Sequence, residues 1–311
     1  MDKKLVLAGV MTAVVTPFNE RLEVDEPALR TYVSRMIELG ASGILTTGYT
    51  GEISVLSPKE QLEITRICAN EIGGRVPLVG CVDTQSLSEA IEFAKASKAA
   101  GADAVQVNSP FQSLLRRGYL ATPDASVGFY QALSVQADVP MSVFQYPAWS
   151  GLQYSTETMN RLADIENVVA VKEATELDKY IEEAAILRGR VAILADNNGY
   201  TLLAMLLNGA DGTMVGISNI GTHLWIQLWN AVQRGDFKDA VELTNTRLVP
   251  LMDCFIRDLG RTPASFVARV KEALAMMGHI PCAAVRQPEP AVTEEQREQI
   301  RKALSAAGLL S

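Results

Sequence analysis

A lysine that closes an apolar, strand-like run is the residue of this chain best suited to chemistry. Lys172 follows Val168-Val169-Ala170-Val171 and precedes Glu173-Ala174-Thr175. An amine held among Val and Ala loses hydration, which favours its neutral form, and a neutral amine can attack a carbonyl to form a Schiff base. The local sequence also allows Lys172 to cap a strand with its ammonium group in water. The surrounding elements must decide between the two.

A glycine turn could hold the negative end of a substrate. In Gly48-Tyr49-Thr50-Gly51-Glu52 the glycines allow successive backbone N–H groups to converge on a carboxylate. Taken alone, the pattern is equally typical of an ordinary turn, and its interpretation depends on Lys172.

Composition narrows the class of protein. The 311 residues are 48% hydrophobic and carry a net charge of -8, which argues against a nucleic-acid partner. No apolar run approaches the ~20 residues of a membrane span, so we expect a cytoplasmic protein. The four cysteines lack CxxC spacing and there are only two histidines, His223 and His279, so we expect neither a disulfide framework nor a metal site.

Strand and helix signals alternate along the chain. Ser57-Pro58-Lys59-Glu60 and Ser86-Leu87-Ser88-Glu89 predict capping boxes at two helix starts. The eight predicted strands share a β-rich, apolar composition; they are 8–17, 42–48, 77–82, 103–109, 140–146, 168–174, 191–196 and 212–218. Three of these strands follow a similar helix-to-strand connection, in which a glycine ends the preceding helix: Gly40, Gly101 and Gly209. Eight such units predict a (β/α)8 TIM barrel, with an open doubly wound sheet as the alternative.

The chain continues for roughly ninety residues after the eighth strand, more than a closing helix requires. Helices are predicted near 223–233, 236–258, 263–277 and 293–307. We therefore divide the chain into a barrel, 1–233, and a C-terminal helical region packed on it, 234–311. Trp225 and Trp229, at i,i+4 spacing, predict a packed helix face and not a ligand site.

Several motifs together make the chain similar to the dihydrodipicolinate synthase and N-acetylneuraminate lyase superfamily of Schiff-base aldolases. Beside the glycine turn and Val171-Lys172-Glu173, the resemblance rests on motifs spread over nearly the whole chain: Gly9-Val10 through Thr16-Pro17-Phe18, Pro147-Ala148-Trp149-Ser150-Gly151, Gly209-Ala210-Asp211-Gly212 and Val285-Arg286.

The resemblance implies a (β/α)8 barrel with a helical C-terminal region and a homotetramer or homodimer. It also implies that Lys172 forms an imine with pyruvate or another 2-oxo acid and that Thr50 and Gly51 bind its carboxylate. An aldehyde would be the second substrate, and no cofactor would be needed. We also expect Met214 and Gly216, on the eighth strand, to contact substrate.

Two departures affect the proton-transfer residues. Where the family has Gly-Thr-Thr-Gly-Glu, this chain has Tyr49 in place of the first threonine. Where the family has Tyr-Asn-x-Pro, this chain has Phe144-Gln145-Tyr146-Pro147. Phe144 has no proton to give, and a positioned acid or base contributes ~10²- to 10⁴-fold to the rate. Tyr49 and then Tyr146 are the candidates to replace the lost hydroxyl, although Tyr146 could equally be a core aromatic.

Further departures affect the second substrate. Trp149 stands where dihydrodipicolinate synthase has an arginine for the carboxylate of aspartate semialdehyde, so we expect a different substrate. Ser109-Pro110-Phe111-Gln112 and an insertion through Arg116-Arg117 alter the loop after strand four. Asn197 and Asn198 would suit a hydroxylated substrate, whereas the aromatic residues Tyr49, Phe111, Phe144 and Trp149 would suit an aryl or apolar aldehyde. The sequence leaves both open.

Three functions are compatible with these residues. The first is a Schiff-base lyase that cleaves or forms a carbon–carbon bond beside the iminium of Lys172. The second uses the same imine for dehydration, hydration or deamination of a 2-oxo acid. The third is a binding protein that has lost catalysis.

Overall fold

The computed structural model describes residues 5–84, 86–108, 122–150, 153–257 and 265–310, without the side chains of Trp149 and Ser150. Predictions that concern Ser109 to Gln112, Arg116, Arg117 and the Trp149 side chain lie outside this part.

A closed barrel of eight parallel strands forms the centre of the molecule. Each strand pairs with the next in sequence, and the eighth pairs with the first. The strands are β1 Gly9–Ala13, β2 Gly43–Leu45, β3 Leu78–Val82, β4 Ala104–Asn108, β5 Met141–Gln145, β6 Val168–Glu173, β7 Ala192–Ala195 and β8 Gly212–Val215. This confirms the predicted barrel and excludes the open sheet. Every strand is shorter than its predicted run because the turns at the strand ends also carry apolar residues.

Helices surround the barrel and continue beyond it. The helices of the first eight units are α1 Glu26–Glu38, α2 Pro58–Ile72, α3 Leu87–Ala99, α4 Pro123–Ala137, α5 Pro147–Ser150, α6 Thr156–Leu162, α7 Leu177–Leu187, α8 Leu202–Leu207 and α9 Thr222–Arg234. The C-terminal helices are α10 Phe237–Leu243, α11 Val249–Phe255, α12 Phe266–Met276 and α13 Glu294–Ala306.

One of the two predicted capping boxes forms completely. Ser57 accepts from the Glu60 N–H and the Glu60 carboxylate accepts from the Ser57 N–H. At the start of α3 the predicted capping box was wrong. Ser86 caps the Glu89 N–H, but the Glu89 carboxylate accepts from the Thr84 hydroxyl, 2.7 Å away. The Ser86 N–H donates to Thr84 as well, so a local turn replaces the second half of the box.

The predicted helix 236–258 is interrupted. A π-helical stretch, Thr244–Leu248, separates α10 from α11. Pro250 lies in the first turn of α11 and cannot donate a backbone hydrogen bond to the preceding turn, which explains the irregular segment just before it. The division at residue 233 stays a prediction, since α9 ends at Arg234, beside it.

Other predictions about local structure are confirmed. Gly40, Gly101 and Gly209 each follow a helix with positive φ, at 102°, 103° and 84°. Trp225 is 1% exposed and its indole N–H donates to the Ile220 carbonyl, 2.9 Å away, so it packs in the core.

Among the helices of the described residues, none has the length and apolar character to cross a bilayer.

The barrel encloses its own apolar cluster, which includes Met11, Ala170, Leu194 and Met214. Strand side chains alternate between the barrel interior and the helices. Because Ala170 faces the interior, Lys172, two residues later, faces it too, at the carboxyl end of β6. The alternation sends Glu173 outward, toward the helical layer.

Candidate active site

A cavity of about 630 Å³ opens at the carboxyl ends of the strands. Its wall combines residues from the ends of β1, β2 and β5 to β8 with residues from the C-terminal region. The lining residues are Ala13, Leu45, Tyr49, Thr50, Phe144, Tyr146, Lys172, Ala174, Asp196, Asn197, Asn198, Gly199, Gly216, Ile256, Ser265, Phe266, Val267, Glu289 and Pro290. This is the end of a barrel where catalytic groups normally lie.

Lys172 lines this cavity and is 6% exposed. Its Nζ is 3.2 Å from Oδ2 of Asp196 and 4.1 Å from the centre of the Phe144 ring. Phe144 is its direct neighbour across the β5–β6 pair. The amine is therefore buried but reachable from the cavity, with a carboxylate as one neighbour and an aromatic face as another. Lys172 does not merely cap a strand into water.

Asp196 is the main residue that the sequence analysis missed. Its carboxylate is almost fully buried, and desolvation raises its pKa although the adjacent Lys172 ammonium acts in the opposite direction. Its backbone N–H donates to the Glu173 carbonyl, 2.7 Å away, which fixes it beside β6. A sequence signal existed: Asp196 directly follows β7, the strand that neighbours the one carrying Lys172.

The glycine turn lies at the mouth of the barrel, where Tyr49 and Thr50 contribute to the cavity wall. A Cβ on Gly216 would lie 2.5 Å from the Thr50 hydroxyl and 2.8 Å from the Phe266 ring. Only glycine at this position lets the turn, β8 and the C-terminal region meet. The Thr16 hydroxyl donates to the Gly51 carbonyl, 2.7 Å away, and secures the turn from the side of β1.

Three aromatic rings lie in series along one wall. The Phe144 ring centre is 6.2 Å from that of Tyr49 and 5.8 Å from that of Tyr146. Both tyrosines line the cavity that contains Lys172. Tyr146 is thus part of the cavity wall and not a core aromatic.

The two asparagines after β7 also line the cavity, and a backbone N–H orients each side chain. Asn197 Oδ1 accepts from the Gly199 N–H and Asn198 Oδ1 from the Ile217 N–H, each at 2.8 Å. Each amide oxygen has a second lone pair and each NH₂ group has two donors, so the pair can both donate to and accept from a substrate.

Met214 has a different position from the other predicted site residues. It is 0% exposed and packs in the barrel interior with Met11 and Leu194. It is not among the residues that line the cavity. Its contribution to substrate binding stays a prediction, as does that of Trp149.

The C-terminal region supplies a wall that sequence reasoning did not anticipate. Ile256, Phe266, Val267 and Pro290 add apolar surface opposite the strand ends. Glu289 accepts from the Ser265 N–H, 2.7 Å away, which joins two segments of that wall. No local pattern marked these residues, because only the packing of the C-terminal helices brings them to the barrel.

A buried carboxylate pair lies on the outer side of β6. The Gln145 side-chain amide donates to Glu173 at 3.2 Å and to Glu183 at 2.9 Å, and both glutamates are 0% exposed. Burial and the neighbouring Glu183 carboxylate raise the pKa of Glu173 well above its ordinary value, and burial raises that of Glu183. Both shifts favour a protonated carboxyl group in the pair. Lys179 also contacts Glu183, at 3.3 Å.

In the described ranges no three His, Cys, Asp or Glu side chains are grouped so that they could hold a metal ion.

Comparisons with known proteins agree over nearly the whole chain. A profile of the dihydrodipicolinate synthetase family matches residues 6–307. The 4-hydroxy-tetrahydrodipicolinate synthase of Methylobacterium radiotolerans is 32% identical, over 98% of this chain and 97% of that protein. The enzyme of the same name from Bartonella tribocorum is 33% identical, over 98% and 99%. The chloride-inhibited dihydrodipicolinate synthase of Acinetobacter baumannii, complexed with pyruvate, superposes with a TM-score of 0.87 at 29% identity, over 98% of this chain and 100% of that one.

Proposed function

The chain belongs to the dihydrodipicolinate synthetase family of lyases, and from that premise we propose that Lys172 forms a Schiff base with pyruvate or a related 2-oxo acid. One observation carries the proposal. The Lys172 amine is buried at the carboxyl end of β6, inside a substrate-sized cavity, with its nitrogen 3.2 Å from Asp196. An amine held in this way can become neutral and nucleophilic at a site that also admits a ketone.

The cavity supports a division of roles. The 2-oxo acid carboxylate would bind at Thr50 and Gly51, and its ketone would condense with Lys172 to give an iminium that withdraws electrons from the adjacent carbon. Carbon–carbon bond formation or cleavage would then occur beside the iminium. Tyr49 and Tyr146, which line the same wall, would exchange the proton of the aldehyde oxygen.

We propose that the second substrate is not aspartate semialdehyde, although the relatives above are named for dihydrodipicolinate synthesis. Among the described lining residues the charged side chains are Lys172, Asp196 and Glu289, and the Lys172 amine is assigned to the imine. A second carboxylate would therefore meet a negative wall. The apolar groups Ile256, Phe266 and Pro290 instead favour an apolar or aryl aldehyde portion.

The imine is tested by trapping. The protein is incubated with pyruvate, reduced with borohydride and analysed by intact and peptide mass spectrometry, with Lys172→Ala and Lys172→Arg as variants. We expect one pyruvate-sized adduct on Lys172 of the wild-type protein and none at position 172 of either variant. Lys179, a partly buried lysine whose ammonium contacts Glu183 on the outer side, is the internal control and should stay unmodified. Absence of the Lys172 adduct with pyruvate and with longer 2-oxo acids would contradict the proposal.

The substrate class is tested with Phe266→Ala. Removing the ring opens the apolar wall, so KM for an aryl aldehyde should rise by about tenfold or more, whereas KM for pyruvate should stay within about twofold. Initial rates with aspartate semialdehyde, a polyhydroxylated aldehyde and benzaldehyde are compared for both proteins. A wild-type preference for aspartate semialdehyde would overturn the proposed second substrate.

Dehydration is the second candidate reaction, and Phe144 is the observation that favours it, since the usual phenol for aldol proton transfer is missing. Product analysis separates the two reactions. Free pyruvate together with an aldehyde indicates a carbon–carbon lyase, whereas a 2-oxo acid lacking one water indicates a hydro-lyase.

A further inference from the structure

We propose that Asp196 is the acid–base residue of Schiff-base formation, in place of the phenol that the chain lacks at Phe144. The inference rests on the proposed imine at Lys172 and adds the group that moves protons at the reacting nitrogen and carbon.

The position of the carboxylate supports this role. Asp196 Oδ2 is 3.2 Å from the Lys172 nitrogen, within the reach expected of a general acid or base. Asp196 also lines the cavity, so a ketone carbon bonded to that nitrogen would form beside its carboxylate.

The surroundings of the pair make proton exchange between its two members favourable. The Phe144 ring lies 4.1 Å from the Lys172 nitrogen, and the two charged side chains are only 7% and 5% exposed. Separated charges are poorly solvated in such a place, which reduces the advantage of the ion pair over a neutral amine and a neutral carboxylic acid. One proton moved from Lys172 to Asp196 therefore produces the nucleophile and the acid in a single event.

The protons then balance through the reaction. The neutral amine attacks the ketone carbon, and the amine proton moves to the ketone oxygen to give a neutral carbinolamine. The Asp196 acid protonates the carbinolamine hydroxyl, the carbon–oxygen bond breaks and water leaves. The products are an iminium and an Asp196 carboxylate. That carboxylate is then placed to accept a proton from the carbon next to the iminium, which forms the enamine.

This assignment differs from the one proposed for the two tyrosines. Tyr49 and Tyr146 lie along the wall on the two sides of Phe144, where the aldehyde oxygen would lie. Asp196 acts at the nitrogen and at the ketone carbon. Its loss should therefore slow the half-reaction with pyruvate alone, before any aldehyde binds.

The test measures the rate of borohydride-trapped adduct formation with pyruvate in the absence of aldehyde. Asp196→Asn keeps the shape and removes the acid, and we expect the trapping rate to fall by about 10²-fold or more. Asp196→Glu keeps a carboxyl group and should recover part of that loss. In Asp196→Ala, added formate should restore trapping in a concentration-dependent manner, which a purely structural role would not produce.

Asp211→Asn is the matched control. Asp211 is an exposed aspartate that accepts from the Ile193 N–H, 2.8 Å away, ahead of β8 and away from the cavity. The rate at which Asp211→Asn protein is trapped with pyruvate should stay within about threefold of the wild-type rate. Circular dichroism and thermal unfolding identify any variant that fails to fold. The formate experiment is carried out only with variant protein that is folded.

The outcomes separate this inference from the proposed function. If wild-type protein traps pyruvate on Lys172 and Asp196→Asn traps it at the same rate, the role of Asp196 is wrong and the imine stands. If Asp196→Ala folds but formate does not restore trapping, the acid–base role is likewise overturned. If wild-type protein gives no adduct, the proposed function itself fails.

Discussion

At the scale of single residues, the barrel is notable for titratable side chains that are buried in pairs. Lys172 and Asp196 share a nearly dry site inside the barrel, and Glu173 and Glu183 share another on the outer side of β6. Glu173 follows Lys172 directly in sequence, so β6 carries one buried titratable group on each face. Desolvation disfavours isolated charges on both faces.

The outer pair gives a prediction about pH. Burial and Glu183 raise the pKa of Glu173 well above its ordinary value, so the folded state holds a proton that the unfolded chain releases. Stability should therefore be lost as the pH rises above the ordinary glutamate pKa of about 4.3 toward the raised folded pKa. Glu173→Gln supplies a permanent N–H to Glu183 and should make the melting temperature less dependent on pH.

Thermal unfolding between about pH 5 and pH 8 measures this effect. The variant should gain stability relative to wild type as the pH rises. Glu182→Gln is the control, because Glu182 is an exposed glutamate next to Glu183 on α7. Equal slopes for wild type and Glu173→Gln would show that the carboxylate pair is ionised throughout.

At the scale of elements, helix ends are set by short patterns whose partners lie within one turn. The capping box of α2 uses both Ser57 and Glu60. The second carboxylate oxygen of Glu60 accepts from Arg286, and that hydrogen bond lowers the pKa of Glu60 to about 2. The start of α2 is thus joined to the C-terminal region through the same side chain that caps the helix.

Ser57→Ala should destabilise the protein by about 0.5–2 kcal/mol, because the Glu60 N–H loses its acceptor. The midpoint of urea unfolding should fall with little change in slope. Ser305→Ala, a change at an exposed position inside α13, should leave the midpoint unchanged or slightly higher. A Ser57→Ala midpoint equal to that of wild type would mean that water replaces the cap at no cost.

At the scale of the whole molecule, the C-terminal region completes the cavity and secures the glycine turn. The fully buried ammonium of Lys271 contacts the Glu52 carboxylate, and the Arg286 backbone N–H donates to the same carboxylate at 3.2 Å. Burial lowers the pKa of Lys271, an effect that Glu52 opposes. These contacts fix the turn between β2 and α2 from outside the barrel.

Lys271→Met should therefore leave Glu52 buried without its cation and destabilise the protein by about 3–5 kcal/mol. The KM for pyruvate should rise as well, because the turn that is proposed to hold its carboxylate loses support. The double variant Lys271→Met, Glu52→Gln should recover part of the stability, since the unpaired charge is removed. Urea unfolding and pyruvate kinetics measure the two effects, and a single variant as stable as wild type would contradict the interpretation.

The family resemblance implies a homotetramer or homodimer, and sedimentation velocity at micromolar concentration would test it. A species of the mass of one chain, 33.7 kDa, would contradict the prediction.

The barrel and the place of Lys172 at the end of its sixth strand could both be predicted from the amino-acid sequence alone. Apolar runs and helix caps act over a few residues, and strand alternation places Lys172 inside once Ala170 is inside. Local patterns and the family motifs were sufficient to predict these features, and the closed barrel of the structure confirms the fold. Predictions from local patterns failed at Glu89, where the Thr84 hydroxyl competed for the carboxylate. They also failed at the π-helical stretch before Pro250.

The electrostatics and the outer wall of the site, in contrast, could be established only from the folded chain. Asp196 meets Lys172 because β6 and β7 pair with a particular register, and Glu173 meets Glu183 across a strand and a helix. Phe266 and Ile256 reach the cavity through the packing of helices more than eighty residues beyond β6. Burial and charge pairing depend on residues distant in sequence, so no local pattern could determine which carboxylate would lie beside the lysine.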